Sequence, residues 1–324
     1  MKAFVTLILS TLTGLLLAEA GLRVFYSRRM SYDFEMWKYA VSFKTLVDDP
    51  RSHIHLPSRE GRLMGVAVKT NSQGLRDHEY SYAKPRGVFR ILAIGDSFTL
   101  GWGVPFEETF AKRLEGLLNE GARAGGPSRR YEVINMGIGN YNTEQELEAF
   151  GREGVRYHPD LVLLCFYIND AEPAQRQAAN FISRNFYLPT FLGQRFFYLR
   201  SMFDRRFQYV AYYKGFYEGE RWARYRDILR RFSVEARQRG VVLVPVLLPD
   251  LRDLSSCPFQ AIHAKIASEF AALGNVSIDL LPAFSGKKEA ELWVSRDDPH
   301  PNSKANQMIA RRLHAELSQR RMGL

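Results

Sequence analysis

The chain has 324 residues, of which 46% are hydrophobic and 25% charged, within the ordinary range of globular proteins. This composition excludes a disordered chain, a collagen-like repeat and a coiled-coil rod as descriptions of the whole molecule. Lys and Arg number 45 against 35 Asp and Glu, and the net charge of +10 favours anionic surroundings. The two cysteines, Cys165 and Cys257, are too few for a disulfide framework and lack zinc-site spacing.

The N-terminus carries an uncharged, mostly apolar run at residues 3–18, directly after Lys2. The run is slightly short for a bilayer span of about 20 residues, but apolar residues after it extend the pattern. Ala18 and Ala20, on either side of Glu19, are small residues of the kind that a signal peptidase requires. Residues 1–29 are therefore expected to be a signal peptide or a membrane anchor. The rest of the chain is then expected in the cell envelope, anchored in the inner membrane and facing the periplasm, or secreted.

Residues 30–87 mix polar and aromatic residues and contain few long periodic segments. A turn is indicated at residues 71–77, where Asn, Ser and Gly cluster. We expect this stretch to be an extension that packs on the main domain. His53 and His55 form a weak H-x-H metal motif, which we interpret as exposed polar sequence.

From residue 88 onward, short β-rich runs alternate with amphipathic helical patterns. The alternation predicts an α/β fold, a three-layer α/β/α sandwich around a parallel sheet. A C-terminal helix has Ile309, Leu313 and Leu317 on one face. The predicted strands are residues 88–94, 131–135, 160–166, 241–248 and 276–280, and the predicted helices before the last one are residues 107–119, 143–156, 223–239 and 261–272.

An insertion at about residues 171–220 breaks the alternation and is rich in aromatic and basic residues. Fourteen aromatic residues lie between positions 181 and 217. Three interpretations stay open: a normally packed lid, the lining of a substrate cleft, or a membrane-interface segment. A nucleic-acid partner is not expected for an exported chain. The predicted main domain is residues 88–324, including this insertion.

The chemistry is expected at the ends of the predicted strands, because ligands of parallel α/β sheets lie beyond their carboxyl ends. Ser97 follows the first predicted strand, where a nucleophile would work, but a serine hydroxyl needs a base to take its proton. His300 lies near the C-terminus, with Asp297 three residues before it. On one loop the Asp297 carboxylate could bond the imidazole and stabilise its protonated form. The G-x-S-x-G elbow of α/β-hydrolases is missing around Ser97.

These residues resemble the SGNH (GDSL) hydrolase family, in its exported or membrane-anchored bacterial form. The resemblance rests on four ordered blocks and spans about residues 88–317. The blocks are G-D-S-F-T-L-G-W-G at residues 95–103, N-M-G-I-G-N-Y-N at 135–142, Y-I-N-D at 167–170 and D-x-x-H at 297–300.

The resemblance implies a catalytic role for each block. Ser97 would be the nucleophile, His300 the base and Asp297 the residue that orients it. The oxyanion hole would take the backbone N–H of Ser97, the side-chain amide of Asn169 and a backbone N–H of the second block. Gly139 and Asn140 both remain candidates for that last donor, because Asn140 stands where the family has glycine. Tyr167 stands where the family has the glycine of G-x-N-D. No metal or organic cofactor is implied.

The expected function is a serine esterase that hydrolyses an O-acyl ester, preferably acetyl, on an envelope or extracellular glycan. Three alternatives remain: an O-acyltransferase to polysaccharide, a lipid esterase, and a catalytically silent glycan-binding or assembly protein. The expected partners are an acylated carbohydrate or lipid ester, the membrane through the N-terminal segment, and exopolysaccharide machinery.

Overall fold

The N-terminal apolar run forms one continuous helix in the computed structural model, which describes residues 1–123, 129–174, 181–204 and 208–320. This helix, α1, covers Lys2–Ser27, and Glu19 is its single buried residue. Among the described residues, α1 alone is long and apolar enough to cross a membrane. The helix therefore extends past the apolar run at residues 3–18 and ends within the segment of residues 1–29.

The extension contains a helix and two small hairpins that the sequence did not reveal. Helix α2 buries Phe34, Tyr39 and Phe43, and a buried Glu35 interrupts its apolar pattern. Glu35 accepts a hydrogen bond from the Met64 N–H (2.8 Å), which fixes the second hairpin to α2. The elements are α2 (Tyr32–Phe43), β1 (Lys44–Leu46) paired antiparallel with β2 (His53–His55), and β3 (Glu60–Leu63) paired antiparallel with β4 (Val66–Lys69).

The main domain is built on a five-stranded parallel sheet, which confirms the predicted α/β fold. The strand order is β6-β5-β7-β8-β9. Strand β7 is buried along its whole length, as its continuous apolar sequence predicts for a strand covered on both faces. The strands are β5 (Val88–Gly95), β6 (Arg130–Gly137), β7 (Leu161–Phe166), β8 (Val242–Leu247) and β9 (Ile278–Asp279).

Helices cover the two faces of this sheet and complete the three layers. α4 packs on β6 and against α11, whereas α9 packs on β8 and against α5 and α10. A short hairpin, β10 (Trp293–Ser295) with β11 (Asp298–Pro301), precedes the last helix. In chain order the helices are α3 (Ser97–Leu100), α4 (Phe110–Arg123), α5 (Thr143–Arg152), α6 (Phe181–Asn185), α7 (Tyr187–Phe203), α8 (Tyr209–Lys214), α9 (Gly219–Gln238), α10 (Gln260–Ala272) and α11 (Ser303–Gln319).

The aromatic insertion divides into two parts with different surroundings. Phe216 and Tyr217 belong to the buried core of the main domain, and Tyr212 packs against it. Helix α7, in contrast, has no buried residue and touches α1 and α2. Residues 175–180 and 205–207 of the insertion lie outside the described residues.

Candidate active site

Ser97 lies at the carboxyl end of β5, an interior strand of the sheet between β6 and β7. The strand ends at Gly95, and Asp96 then caps α3 by accepting a hydrogen bond from the Phe98 N–H (2.9 Å). Ser97 is thereby the first residue of α3, and its side chain lies at the sheet edge where ligands of parallel sheets bind.

His300 reaches Ser97 from the other end of the chain. It lies on β11, and its Nε2 is 2.9 Å from the Ser97 Oγ. Both side chains are largely buried, at 5% exposure for Ser97 and 7% for His300. This is the distance and setting of a nucleophile paired with its general base.

The carboxylate that contacts His300 is that of Asp298, and the expectation of Asp297 in this place is wrong. Asp298 Oδ1 is 2.5 Å from His300 Nδ1, whereas Asp297 is exposed in the turn between β10 and β11. The physical reason is that the segment is a strand and not a loop. Residues two apart on a strand share a face, so Asp298 and His300 point the same way while Asp297 points elsewhere.

Asp298 is held in its ionised form. Burial disfavours the charge, but hydrogen bonds from His300 and Trp102 keep the pKa of this carboxyl below its usual value. The Trp102 Nε1–H donates to Asp298 Oδ2 at 2.8 Å. An ionised, doubly bonded carboxylate fixes the imidazole orientation and stabilises its protonated state.

Aromatic rings cover the faces of the imidazole. Tyr32, the first residue of α2, stacks on His300 with ring centroids 5.3 Å apart, and Phe98 lies at 5.1 Å. Burial, with the charge of Asp298 next, raises the pKa of the Tyr32 phenol. Neither contact was predicted from the sequence: Tyr32 lies outside the four blocks, and Trp102, although in the first block, is 196 positions from Asp298.

Asn169, which the sequence analysis named as an oxyanion donor, contacts Asp96, the residue before Ser97. Its side-chain Nδ2 donates to Asp96 Oδ2 at 3.1 Å. A side-chain amide has two N–H groups, so the second can serve a ligand. Burial raises the pKa of Asp96, although the Phe98 N–H and the Asn169 amide bond its carboxylate.

The geometry distinguishes the two candidate donors of the second block. The Gly139 N–H donates to the hydroxyl of Tyr39 at 3.0 Å. A Cβ at Gly139 would lie 2.7 Å from the Tyr39 ring, so the close approach requires glycine there. Asn140 has φ +67°, the left-handed conformation that Asn tolerates better than most residues.

Lys44 forms hydrogen bonds with the same loop, residues 139 and 140. Its ammonium group donates to the Gly139 carbonyl (2.5 Å) and to the Asn140 side-chain oxygen (3.1 Å). Lys44 is 1% exposed, and burial holds its pKa well below the usual value. The ammonium nitrogen lies 4.4 Å from the centroid of the Tyr39 ring. We call Tyr39, Lys44, His53 and His55, which surround residues 139 and 140, the platform.

His53 and His55 belong to this platform and are buried, so their interpretation as exposed polar sequence is wrong. His53 Nε2 lies 3.3 Å from the Gly139 carbonyl, and His55 Nε2 lies 2.5 Å from the Tyr39 hydroxyl. Burial first, and the charge of Lys44 second, lower the pKa of each imidazole to about 3, so both are neutral. Their i, i+2 spacing on a strand was the sequence signal that both point to one side.

A cavity of about 150 Å³ opens beside the oxyanion residues. Asn140 and Asn169 both line it. The other lining residues are mostly polar, namely His53, Tyr141, Asn142, Gln145 and Glu172, and the apolar Pro173 and Ala174 complete the wall. In the described part of the chain, no group of three or more His, Cys, Asp or Glu side chains is arranged to hold a metal ion.

A model of the GDSL-like lipase/acylhydrolase family matches residues 93–308, more than half of the chain. The chain belongs to this family. It is therefore an ester-hydrolysing enzyme of the GDSL type. Among curated proteins, none matches the sequence.

Several solved structures are similar to this GDSL enzyme at low sequence identity. An acetylxylan esterase from Geobacillus stearothermophilus, Axe2, is 17% identical, with 73% of this chain and 94% of that chain covered and a TM-score of 0.45. TesA is 15% identical, with 71% and 98% covered and a TM-score of 0.45. A two-domain esterase active on acetylated mannans is 16% identical, with 72% and 49% covered and a TM-score of 0.44.

Tyr167, at the position where the GDSL pattern has glycine, is accommodated without displacing Asn169. Its ring stacks on Phe98 at 4.1 Å between centroids. Its hydroxyl donates to Asp250 (3.2 Å) and accepts from Arg252 (3.0 Å). Tyr167 therefore helps to fix Phe98, which in turn lies against His300.

Proposed function

We propose that the chain is a serine esterase in which Ser97, His300 and Asp298 form the catalytic triad. The observation that carries this proposal is the continuous chain of contacts from Ser97 Oγ to His300 Nε2 (2.9 Å) and from His300 Nδ1 to Asp298 (2.5 Å). The order along the hydrogen bonds is nucleophile, base and orienting carboxylate, which is what acyl transfer through serine requires.

The first half-reaction forms an acyl-enzyme. Ser97 Oγ attacks the ester carbonyl carbon while His300 Nε2 takes the hydroxyl proton. The tetrahedral intermediate then collapses, the bond to the alcohol oxygen breaks, and His300 returns the proton to that oxygen. Asp298 stays ionised throughout and stabilises the imidazolium.

Three donors are proposed to bind the oxyanion of that intermediate: the backbone N–H of Ser97, the Asn169 side-chain amide and the backbone N–H of Asn140. We choose Asn140 over Gly139 because the Gly139 N–H is already bonded to Tyr39. Donors fixed in advance cost no reorganisation when the charge develops, which makes them effective in a partly buried site.

The second half-reaction uses water in place of the alcohol. His300 takes a proton from water, the resulting hydroxide attacks the acyl-enzyme carbonyl, and the bond to Ser97 Oγ breaks with return of the proton to that oxygen. The products are a free acid and the regenerated enzyme.

The acyl group is proposed to be short, with acetyl preferred, and the alcohol to be a sugar hydroxyl. The cavity beside Asn140 and Asn169 has a volume of about 150 Å³, which is smaller than the roughly 300–1,000 Å³ of pockets for larger ligands. Its amide and carboxylate lining, including Asn142, Gln145 and Glu172, suits hydroxyl groups more than a fatty acyl chain.

The enzyme is proposed to be held in the cell envelope by a retained α1. The helix runs without a break through Ala18 and Ala20, the small residues that a signal peptidase would require. Glu19 between them accepts hydrogen bonds from the backbone N–H groups of Tyr187 (2.9 Å) and Leu188 (2.9 Å). Cleavage after Ala20 would remove the carboxylate that caps α7, so a retained anchor agrees better with these contacts.

Hydrolysis of p-nitrophenyl esters of increasing acyl length by the full chain in mild detergent tests the proposal. We expect the acetyl ester to be the best substrate, and Ser97→Ala to lower kcat by about 10⁴-fold or more. Ser255→Ala, at an exposed serine far along the chain, is the matched control and should be unaffected. Full activity of Ser97→Ala would contradict the serine mechanism, and a preference for long acyl chains would contradict the acetyl assignment.

A further inference from the structure

Helix α7 presents a stripe of large apolar side chains that no other part of the described chain covers. The stripe consists of Leu192, Phe196, Leu199 and Phe203, each more than half exposed and Phe203 at 87%. Their spacing of i, i+4, i+7 and i+11 places them on one side of the helix. Such a face on a helix is normally buried against a partner, so the stripe indicates a surface that is covered in the working protein.

Basic residues border the stripe on both sides. At 3.6 residues per turn, Arg195 lies roughly 70° to one side of the stripe and Arg200 roughly 70° to the other. Both side chains are exposed. An apolar face edged by arginine is typical of helices that lie in the headgroup region of a membrane.

Helix α7 is fixed to α1 at its first residues. Besides capping the N–H groups of Tyr187 and Leu188, Glu19 forms an ion pair with Arg23 (2.7 Å). The Arg23 guanidinium donates to the Asn185 carbonyl and lies 5.0 Å from the centroid of the Tyr187 ring. The position of α7 is therefore set by the C-terminal third of α1.

What covers the stripe can be inferred from what surrounds the neighbouring helix α1. With 26 residues, α1 is about 39 Å long, which exceeds the roughly 30 Å of a hydrocarbon core. Its apolar side chains are exposed all round, from Phe4 and Leu7 to Leu16 and Val24. A second copy of the chain would cover one side of α1, whereas lipid covers every side, and the α7 stripe adjoins the same helix.

We propose that α7 is a second membrane contact, lying in the interface beside α1 with its stripe directed into the acyl-chain boundary of a phospholipid bilayer. The inference rests on the retained anchor proposed above. Arg195 and Arg200 then lie at headgroup level, where anionic lipids attract them. The insertion thereby serves as a membrane-docking element in addition to packing on the main domain.

Spin-label accessibility in the full chain tests this directly. Single cysteines replace Leu199 or Phe203 in a Cys257→Ser background, with the buried Cys165 left in place. Leu12→Cys in the middle of α1 reports on the anchor, and Val276→Cys, an equally exposed apolar residue beside β9, is the matched control. The proteins are reconstituted in vesicles of phosphatidylcholine and phosphatidylglycerol, after far-UV circular dichroism has confirmed an unchanged fold.

The measured quantity is the accessibility of each label to oxygen, which concentrates in lipid, relative to a water-soluble nickel complex. We expect this ratio to be several-fold higher at positions 199 and 203 than at position 276. A high ratio at position 12 with water-like ratios at 199 and 203 would overturn the α7 proposal and leave the anchor intact. A water-like ratio at position 12 would instead overturn the anchor, and with it the docking surface that rests on it.

A second copy of the chain gives a different signature. Labels at positions 199 and 203 would then be shielded from both reagents, and neighbouring labels would broaden each other's spectra. That result would also overturn the membrane assignment of the stripe.

Discussion

The two sides of the catalytic centre draw on different parts of the chain. On the acid–base side, Ser97, His300 and Asp298 all lie within residues 93–308, the part that matches the family. On the oxyanion side, Asn140 and Asn169 also lie there, but the loop at residues 139–140 is held by Tyr39, Lys44 and His53 from outside it.

The difference teaches that the extension is part of the catalytic machinery as we propose it. A backbone N–H can bind an oxyanion only if its loop keeps one conformation. The positive φ of Asn140 costs conformational free energy, so other contacts must hold the loop in this conformation. The hydrogen bond that the Gly139 N–H donates to Tyr39 and the one that Lys44 donates to the Gly139 carbonyl supply the constraint. On the acid–base side the extension contributes the Tyr32 ring, which stacks on His300, whereas the hydrogen bonds there join Ser97, His300 and Asp298 directly.

Asp298→Asn is expected to have the largest effect of the substitutions that compare the two sides. An amide at this position favours the wrong imidazole tautomer and cannot stabilise the imidazolium, so kcat should fall by about 10⁴-fold. Asp297→Asn is the matched control, one residue away and exposed, and it should retain nearly full activity. Steady-state hydrolysis of p-nitrophenyl acetate measures both, and an inactive Asp297→Asn beside an active Asp298→Asn would reverse the assignment.

Asn169→Ala is expected to have the next largest effect. Loss of one oxyanion donor should lower kcat by about 10²–10³-fold with little change in KM, because the interaction forms mainly in the transition state. Asn140→Gly provides the contrast: it keeps the backbone N–H and suits the positive φ, so activity should stay within a few-fold of wild type. Equal losses in both variants would show that Asn140 acts through its side chain.

Substitutions of platform residues test whether the extension holds the loop at residues 139–140 in its active conformation. Tyr39→Phe removes the acceptor of the Gly139 N–H, and Lys44→Met removes the donor to the Gly139 carbonyl. Each should lower kcat by roughly tenfold, the equivalent of about one hydrogen bond, and leave KM nearly unchanged. If both variants matched wild type in kcat, the loop would not depend on the extension.

The last comparison concerns stability and not activity, at Asp96, where the two sides meet. Glu146 lies near this carboxylate, is fully buried, and has no hydrogen-bond partner for either oxygen among the described residues. Burial, and then the charge of Asp96, raise the pKa of Glu146 well above its ordinary 4.5. The folded state therefore binds the proton more tightly than the unfolded state, and stability is lost as the pH rises above 4.5 toward the folded pKa.

Glu146→Gln should remove this pH-dependent loss. The variant should become progressively more stable than wild type above pH 4.5, by up to about 1.4 kcal/mol for each pH unit before the folded pKa is reached. Urea unfolding in mild detergent at acidic and alkaline pH, followed by tryptophan fluorescence, measures the difference. A difference that shrinks as the pH rises would contradict the direction of the shift.

The sequence predicted the parallel sheet, which the structure confirms, and named Ser97, His300 and Asn169 as site residues, because each depends on local pattern or on a motif at a strand end. It assigned the wrong carboxylate, since residues 298–301 carry no strand-like pattern and pair as a strand only against residues 293–295. It did not reveal the platform either. Tyr39, Lys44 and His53 meet Gly139 across 86 to 100 positions, and no spacing in a single sequence encodes such contacts.

The stacking of Tyr32 on His300 limits how far the active site can move from the anchor. Only residues 28–31 separate the end of α1 at Ser27 from Tyr32, and five extended residues reach at most about 18 Å. If α1 is anchored in the membrane, this short linker keeps His300, the proposed catalytic base, within a thin layer above the lipid surface. An ester on a chain that is itself bound to the membrane stays within that layer, so its effective concentration at the active site is high. The anchor does not raise the effective concentration of an ester that diffuses freely in solution.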